Sequence, residues 1–342
     1  MPIIQSRYRA PYGFTNGYVQ SIYPTVFRKL DIPELQVERI ELDDGDFLDL
    51  DWSKTVESGE ALPPLVIVSH GLEGHSRRPY ILGTLRQANR HGYDALAWNF
   101  RNCSPEPNRL PRMYHSGATE DLDAVVQHAI GKGYQQIFLV GYSMGGNLSL
   151  IYAGRERPIA EQVKGVCAFS VPCDLRGSAD QLAKPENRIF MWRFLRDLRV
   201  KMTQKAEQFP DLVSVDNYRN IRTFRQFDDR YTAPLHGFDD ALDYWAKSSC
   251  LGYLKDINIP ALLVNARNDP FLSPSCYPHD IACDHPHLYL EVPESGGHVG
   301  FIKKSRDQTY WMEERAMAFI DSLIDNDTVV ERKCEALVTD QD

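Results

Sequence analysis

The chain has 342 residues, of which 43% are hydrophobic and 25% are charged, a composition typical of a globular protein. This length suits one large catalytic domain or two smaller ones, and it argues against a bare binding module. The formal net charge of −9 argues against nucleic acid or an anionic membrane surface as the main partner, although it leaves room for a local basic patch.

Cellular location is indicated by the apolar runs and the cysteines. No apolar run reaches the roughly 18–20 residues that span a membrane, and the first residues lack the pattern of a signal peptide. The seven cysteines are scattered and form no CxxC pair, so neither a disulfide framework nor a zinc cage is indicated. We therefore expect reduced thiols, a cytoplasmic location and no integral membrane segment.

Strand and helix patterns follow a turn-rich N-terminal extension, which we expect over residues 1–37. Residues 39–52 alternate apolar with polar side chains around an Asp-Gly pair, which is typical of a β-hairpin. Later apolar runs predict buried strands, and the segments between them predict helices. The predicted strands are 64–68, 94–100, 136–140, 163–171, 259–265 and 287–292. The predicted helices are 80–91, 119–130, 147–153 and 310–323.

Alternating strands and helices at this spacing predict βαβ units. The expected fold class is therefore α/β, with a mostly parallel, doubly wound sheet and an N-terminal hairpin. We expect the core over residues 38–173 and 250–325. Residues 174–249 lack a buried-strand run and include an amphipathic stretch, so they are predicted to form a helical cap. Residues 326–342 are expected to be a frayed, charged tail.

The strongest chemical signal is the sequence GYSMG at residues 141–145, directly after a predicted strand and before a predicted helix. This context is the one that a GxSxG nucleophile elbow requires. Gly141 and Gly145 lack a Cβ atom, so the chain can turn tightly and hold Ser143 in a strained conformation. A simple Gly-Ser turn would use the same residues, but the flanking strand and helix favour a nucleophile.

A serine nucleophile needs a base and a residue that orients the base. In the elbow fold an acid and then a histidine follow later strands, and Asp269 and His298 each follow one of the last two predicted strands. His298 is predicted to accept the Ser143 proton, and Asp269 is predicted to hold the other ring nitrogen. An aspartate before proline is often only a turn former, and Asp284 lies nearby as an alternative acid.

Acyl transfer also needs hydrogen-bond donors for the oxyanion. The backbone N–H of Met144, next to the nucleophile, is one predicted donor. The N–H of Leu72, in the loop after an early strand, is the other, and Gly71 allows this loop to approach closely. His70 and His75 in the same loop could suggest a metal site, but the HExxH spacing and paired cysteines are missing. We therefore expect neither a metal nor a cofactor.

Several segments resemble the α/β-hydrolase superfamily and, more narrowly, the YheT-like hydrolases of AB hydrolase superfamily 4. These segments are His70–Ser76, Arg101–Ser104, His115–Gly117, Gly141–Asn147 and Gly296–Phe301. A longer family pattern is matched at Asp228, Gly237, Phe238, Asp243, Tyr244, Ser249, Asn268 and Asp269. The chain departs from this pattern at Trp245, where tyrosine is expected. The resemblance spans roughly residues 65–301.

The resemblance implies an α/β-hydrolase fold, carboxylic-ester hydrolysis and an acid at Asp269. Relatives act on acylglycerols, phospholipids or medium-chain acyl esters, and some fungal relatives transfer acyl groups to alcohols. Several eukaryotic relatives carry an N-terminal membrane anchor, which we do not expect in this chain.

The resulting hypothesis is a serine carboxylesterase that takes a small ester with an apolar acyl chain through an acyl-serine intermediate. Two alternatives stay open: an acyltransferase in which an alcohol replaces water, and a non-catalytic binding protein of the same fold. Aromatic residues of the cap are expected to roof an acyl pocket, although ordinary packing explains many of them. These residues are Trp192, Phe194, Tyr218, Phe224, Phe227, Tyr231, Phe238, Tyr244 and Trp245.

Overall fold

A computed structural model describes residues 3–30, 34–55, 62–155 and 158–339, with side chains up to residue 325. The strands are β1 Ile3–Ile4, β2 Gln36–Glu41, β3 Phe47–Ser53, β4 Leu65–Ser69, β5 Asp94–Trp98, β6 Ile137–Tyr142, β7 Val163–Phe169, β8 Ala261–Val264 and β9 Leu288–Glu291. The helices are α1 Gly17–Phe27, α2 Pro79–Arg90, α3 Thr119–Gly131, α4 Met144–Gly154, α5 Leu175–Leu182, α6 Arg188–Gln208, α7 Phe224–Phe227, α8 Ala233–His236, α9 Ala241–Ser248, α10 His279–Ala282 and α11 Trp311–Thr339.

The nine described strands form one sheet in the order β1-β9-β8-β7-β6-β4-β5-β3-β2. The first seven strands in this order, from β1 at the edge to β5, pair in parallel. The hairpin β2–β3 then joins β5 through β3, in antiparallel fashion. Every residue of β4, β5 and β6 is buried, as in a parallel sheet that helices cover on both faces. The predicted fold class, with its N-terminal hairpin, is confirmed.

Helices cover the two faces of the sheet as a doubly wound fold requires. On β4, Leu65 and Ile67 pack in the layer of α3 and α4, whereas Val66 and Val68 pack in the layer of α2 and α11. Successive side chains of a strand point to opposite faces, so the continuous apolar run of β4 serves both layers. This burial on both faces explains why the run shows no alternation in the sequence.

The N-terminal hairpin turns at Gly45, whose φ of +84° favours glycine. Its strand β3 alternates apolar and acidic residues, yet all of its residues are buried. The acidic side chains are matched by arginines: Asp49 pairs with Arg39 at 2.7 Å, and Asp51 pairs with Arg77 at 3.0 Å. Both carboxylates are largely buried, so they need such partners.

Both ends of the chain differ from the sequence-based expectation. The predicted extension contributes β1, which pairs with β9, and α1, which lies against the loops after β8 and β9. At the other end α11 continues to Thr339, and no glycine or proline follows residue 323 to stop it. The tail predicted from residue 326 thus begins inside α11, and residues 340–342 lie outside the described residues.

Helices α5 to α9 lie between β7 and β8 in the chain and pack on one another over Ser143. This segment contains no strand among its described residues, as expected for a cap. The positions at which the cap and the core meet stay a prediction. No helix in the described part of the chain is long and apolar enough to cross a membrane.

Candidate active site

Ser143 lies at the sharp turn between β6 and α4, with φ +54° and ψ −118°. This backbone conformation is unfavourable for a residue with a side chain. The flanking glycines make it possible: a Cβ atom on Gly141 would collide with the carbonyl of Gly145, and one on Gly145 would collide with the carbonyl of Ser69. The Ser143 N–H donates to the Phe169 carbonyl at 2.8 Å, which holds the turn against β7.

The three residues predicted for a catalytic triad meet in one row. The Ser143 hydroxyl donates to His298 Nε2 at 2.9 Å, and His298 Nδ1–H donates to Asp269 Oδ2 at 2.9 Å. The Asp269 side chain is fully buried, and its Oδ1 accepts the Phe271 N–H at 2.9 Å. Because Asp269 accepts the Nδ1 proton, Nε2 remains an acceptor for the serine proton. Among the described residues, Asp269 is the carboxylate bonded to His298, and Asp284 is not.

The two predicted oxyanion donors border the same cavity as the serine. Leu72 and Met144 both line the space next to Ser143 and His298. Neither backbone N–H has a hydrogen-bond partner in the part of the chain that the structure describes. Both groups are therefore available to an oxygen atom that develops negative charge beside Ser143.

The direction of the Leu72 N–H is set by its neighbour, His70. His70 Nδ1–H donates to the Gly71 carbonyl at 2.7 Å, and His70 Nε2 accepts the Phe100 N–H at 3.2 Å. Burial lowers the pKa of His70 to about 3, so the ring is neutral and can serve as donor and acceptor at once. Because the peptide is planar and trans, a fixed Gly71 carbonyl also fixes the Leu72 N–H. The Gly71 N–H donates to the Tyr80 hydroxyl at 3.1 Å, a contact that sequence reasoning missed.

His75, the other histidine of this loop, also has a local role. Its Nδ1 accepts the Arg77 N–H at 3.2 Å, and burial lowers its pKa to about 4. No group of three or more His, Cys, Asp and Glu among the described residues is arranged to hold a metal ion. Each histidine of this loop therefore uses ring nitrogen atoms in hydrogen bonds with backbone groups.

Helix α1 holds the loops that carry Asp269 and His298, and sequence reasoning missed this contribution. The His298 N–H donates to Ser21 Oγ at 2.8 Å. The Asn268 side chain accepts the Gly297 N–H at 3.0 Å and donates to the Thr15 carbonyl at 2.8 Å. The positions of Asp269 and His298 therefore depend on residues from the start of the chain.

The sequence signal for α1 was weak because two helix breakers interrupt it. Gly17 begins the helix and Pro24 lies within it, although Asn16 is a good N-cap whose side chain accepts the Tyr18 and Val19 N–H groups. The structure explains the glycine: a Cβ atom at this position would collide with a backbone carbonyl of the acid loop. The N-cap asparagine was the signal that could have located this helix.

Two further residues, Ser170 and Phe271, contact the His298 loop. The Val299 N–H donates to Ser170 Oγ at 2.8 Å, and the centroid of the Phe271 ring lies 4.2 Å from the centroid of the His298 ring. Ser170 follows β7 and Phe271 follows the acid, so three strand ends contribute to one loop. Sequence spacing alone carries no signal for such contacts.

An apolar cavity runs from Ser143 beneath the cap. Six of the nine aromatic residues predicted for its roof line it: Phe194, Phe224, Phe227, Tyr231, Tyr244 and Trp245. Trp192 instead points away and is 61% exposed. The Tyr218 hydroxyl donates to the Leu195 carbonyl at 2.8 Å, and Phe238 packs against His115. The cavity offers an apolar acyl chain a covered space next to the serine.

One carboxyl group lies in the wall of this apolar cavity. Asp228 accepts hydrogen bonds from the Thr232 hydroxyl at 2.6 Å and from the Trp245 indole N–H at 2.8 Å. Burial raises its pKa to about 7. Trp245, which stands where the family pattern has tyrosine, supplies an N–H to this carboxyl group.

A second cavity meets the first at Ser143 and His298 and opens between α1 and α6. Its lining is more polar and includes Ser21, Glu73, Arg78 and Arg193. The Glu73 carboxylate is already paired with Lys201 of the cap at 2.9 Å. The serine can therefore be reached from an apolar side and from a polar side.

Comparison with known proteins decides the family. The sequence profile of the alpha/beta hydrolase fold family matches residues 64–305. The chain belongs to the α/β-hydrolase family. Among its relatives, YheT of Escherichia coli (strain K12), a proposed esterase, is 33% identical over 310 residues, which cover 89% of each chain. Phospholipase ABHD3 of Bos taurus is 30% identical over 297 residues, which cover 84% of this chain and 72% of the relative.

Other similarities within the α/β-hydrolase family agree with this assignment. Monoacylglycerol lipase of Saccharomyces cerevisiae (strain ATCC 204508 / S288c) is 28% identical over 278 residues, covering 78% of this chain and 61% of that protein. The solved structure of esterase Pf2001 from Pyrococcus furiosus has a TM-score of 0.57 and 15% identity, covering 92% of this chain and 100% of its own. The predicted family, and the prediction of an enzyme of the ester-hydrolase type, are confirmed.

Proposed function

We propose that this α/β hydrolase is a serine carboxylesterase that cleaves esters with an apolar acyl chain through an acyl-serine intermediate. The observation that carries the proposal is the hydrogen-bonded row of Ser143, His298 and Asp269 at the end of an apolar cavity. In the first step Ser143 Oγ attacks the ester carbonyl carbon while His298 Nε2 takes the hydroxyl proton. Asp269 keeps the Nδ1 proton in place and stabilises the imidazolium that forms.

The remaining steps use the same groups. The N–H groups of Leu72 and Met144 donate to the oxyanion of the tetrahedral intermediate. His298 then gives its proton to the leaving alkoxide, which departs as the alcohol. A water molecule, deprotonated by His298, attacks the acyl group on Ser143, and the acid leaves as the serine regains its proton. Side chains and water carry every proton in this scheme, so the proposal invokes no cofactor.

The two cavities support a separate position for each half of the ester. The apolar cavity takes the acyl chain, since its lining is dominated by aliphatic and aromatic side chains. The more polar cavity between α1 and α6 takes the alcohol half. The relatives named as esterase, phospholipase and monoacylglycerol lipase support an ester with an acyl chain as the substrate class. The cytoplasmic location predicted from the cysteines is part of the proposal.

A panel of p-nitrophenyl esters from two to sixteen carbons, assayed beside acylglycerols, tests this proposal. Ser143→Ala should lower hydrolysis by at least about 10³-fold, because the nucleophile is lost while the fold is kept. Ser214→Ala, a change at an exposed serine, is the matched control and should hydrolyse like the wild type. Hydrolysis that persists in Ser143→Ala would refute the proposal. A dominant ethyl-ester product in excess ethanol would reassign the chain as an acyltransferase.

A further inference from the structure

Exposed apolar side chains concentrate on two helices of this protein. Seven of the twelve large hydrophobic residues that are exposed in the described part of the chain belong to α1 and α6. They are Val19, Ile22, Val26 and Phe27 of α1, and Ile189, Trp192 and Val200 of α6. Single exposed hydrophobic residues are ordinary, but a concentration on neighbouring elements marks an interaction surface.

The two helices are neighbours at the mouth of the second cavity. The rings of Tyr18 in α1 and Phe190 in α6 stack with centroids 6.1 Å apart. From α1, Ser21 and Thr25 line the cavity, and from α6, Arg193 lines it. At 3.6 residues per turn, Ile22 lies one turn from Thr25 and Ile189 lies one turn from Arg193, whereas Val19 and Val26 lie farther round α1. Ile22 of α1 and Ile189 of α6 therefore border the entrance that leads to the proposed nucleophile.

The exposed side of α6 is also basic. It carries Arg188, Arg193, Arg196 and Arg199, and the nearby acids are Asp197 and Glu186, which lies close to Tyr18 of α1. Asp197 is paired with Arg196 at 2.7 Å and lies 3.9 Å from Arg193. Among the described residues, no carboxylate pairs with Arg188 or Arg199. This local positive charge stands out in a chain whose formal net charge is −9.

Helix α1 completes the surface without adding charge, since its sequence GYVQSIYPTVF contains no charged residue. We propose that α1 and α6 together form a docking face for the surface of an anionic lipid bilayer. The docking face is defined as the seven exposed apolar residues above with the four arginines of α6. Apolar side chains, a tryptophan and arginines on one face are the composition of elements that lie in a membrane interface.

Charge favours a lipid surface over a second copy of this chain. In a two-fold symmetric dimer through the docking face, the arginines of α6 would meet the same arginines of the partner, which is repulsive. Anionic headgroups neutralise them instead, while Trp192 and the aliphatic residues enter the boundary with the acyl chains. Docking in this way turns the cavity mouth toward the lipid.

Vesicle co-sedimentation of the full chain tests this docking face. The wild type should bind phosphatidylcholine vesicles containing phosphatidylglycerol more tightly than pure phosphatidylcholine, and less tightly as salt rises from about 0.05 to about 0.5 M. Ile22→Ser with Trp192→Ser should weaken binding roughly tenfold or more, because apolar insertion is lost. Arg188→Gln with Arg199→Gln should weaken it roughly tenfold or more, because headgroup neutralisation is lost.

Matched controls change similar residues elsewhere on the surface. Val37→Ser removes an exposed apolar side chain from β2, and Lys54→Gln with Lys132→Gln removes two charges from the opposite edge of the sheet. Both controls should bind vesicles within about twofold of the wild type, since electrostatic and apolar contributions act locally. All of these variants should hydrolyse a short, soluble ester like the wild type, because none changes a residue that lines either cavity.

The outcomes separate this inference from the proposed function. Ser143→Ala should still bind anionic vesicles. The vesicle-binding result can therefore be interpreted even if the protein does not hydrolyse esters. The inference is overturned if the wild type does not bind anionic vesicles, or if the docking-face variants bind as well as the controls. It is also overturned if sedimentation velocity shows a dimer that Ile22→Ser with Trp192→Ser dissociates.

Discussion

Asp269 holds its place through one contact on each carboxylate oxygen, with His298 Nδ1 on one and the Phe271 N–H on the other. Asp269→Asn keeps the shape, but the asparagine amide donates to Nδ1 and leaves the proton on Nε2, facing the serine. We expect kcat to fall by about 10⁴, the loss that the same change causes in a serine-protease triad. Asp284→Asn is the control and should change kcat less than about twofold. A severe loss of kcat in Asp284→Asn, with a mild loss in Asp269→Asn, would assign the role of the acid to Asp284 instead of Asp269.

Asp228 makes the apolar cavity sensitive to pH near neutrality. Its pKa is raised to about 7 by burial, so it is neutral in the fold below that pH and ionised above it. A charged carboxylate in the wall disfavours an apolar chain, so KM for a medium-chain ester should rise as pH passes through 7. Asp228→Asn should abolish this rise while kcat for a two-carbon ester stays the same. Steady-state kinetics between pH 5.5 and 8.5 provides the measurement, and identical KM profiles for both proteins would contradict the assignment.

The raised pKa of Asp228 also predicts how the stability of the fold depends on pH. An unfolded aspartate ionises near ~3.9, whereas Asp228 in the fold ionises near 7. The stability that this raised pKa contributes is complete below pH ~3.9 and is lost as pH rises to 7. The Tm of Asp228→Asn relative to the wild type should therefore increase between pH 5 and pH 8. A constant difference across this range would show that Asp228 is already ionised at pH 5.

Site residues that directly follow a strand could be predicted from the sequence. Site contacts made by residues of distant helices could not. Ser143 has its own motif, and the acid and base follow their strands in a fixed order. Ser21 and Tyr80 touch the active site from α1 and α2, and no local pattern indicates those contacts. Trp192 was predicted in the cavity roof because it shares a stretch with Phe194, but its position on α6 turns it to solvent.

At the scale of elements, we expect α1 to position His298, the proposed base. Ser21→Ala removes the acceptor of the His298 N–H, so we expect kcat to fall roughly tenfold with little change in KM. Ser21→Thr keeps the hydroxyl and should restore most of the rate. Val19→Ala, on the exposed side of the same helix, should behave like the wild type toward a soluble ester.

Kinetics of these variants with a soluble p-nitrophenyl ester, beside thermal melting curves, give the test. Equal losses of Tm and rate in Ser21→Ala and Ser21→Thr would indicate a structural contribution only. A loss confined to KM would place Ser21 in substrate binding instead of in the positioning of His298.

Elements with long periodic patterns were predictable, and short or interrupted ones were not. The buried strands β4 to β9 and helices α2 to α4 were located within a few residues. Helix α1 was not predicted because its sequence contains Gly17 and Pro24. The close approach of the loop before Asp269 requires the glycine, and the helix tolerates the proline. The two-residue strand β1 carries too few residues for any pattern, and it exists only because β9 offers a free edge.

Across the whole molecule, the sheet fixes the row of Ser143, His298 and Asp269, and the cap shapes the space beside it. Ala179 of α5 lines the apolar cavity, so Ala179→Phe should fill part of it. We expect the ratio of kcat/KM for a two-carbon ester to that for a long-chain ester to rise roughly tenfold, while the two-carbon rate is kept. Ala183→Phe, at the exposed end of the same helix, is the control.

A chain-length profile with p-nitrophenyl esters measures this ratio, and the Tm reports whether the added ring strains the core. An unchanged profile in a stably folded Ala179→Phe would mean that the acyl chain does not enter this cavity. The cap itself was predictable because its residues lack a run typical of a buried strand. The path of its cavity depends on side-chain directions that only the structure provides.

The central claim is that Ser143 forms a covalent bond to the acyl group, and fluorophosphonate labelling followed by peptide mass spectrometry tests it most directly. A fluorophosphonate reacts with a serine whose proton is taken by a neighbouring base and whose oxyanion is stabilised. We predict one label per chain, located on Ser143, and no label in Ser143→Ala or after prior reaction with an ester inhibitor. A label on a different serine, or an unlabelled protein that still hydrolyses esters, would contradict the account.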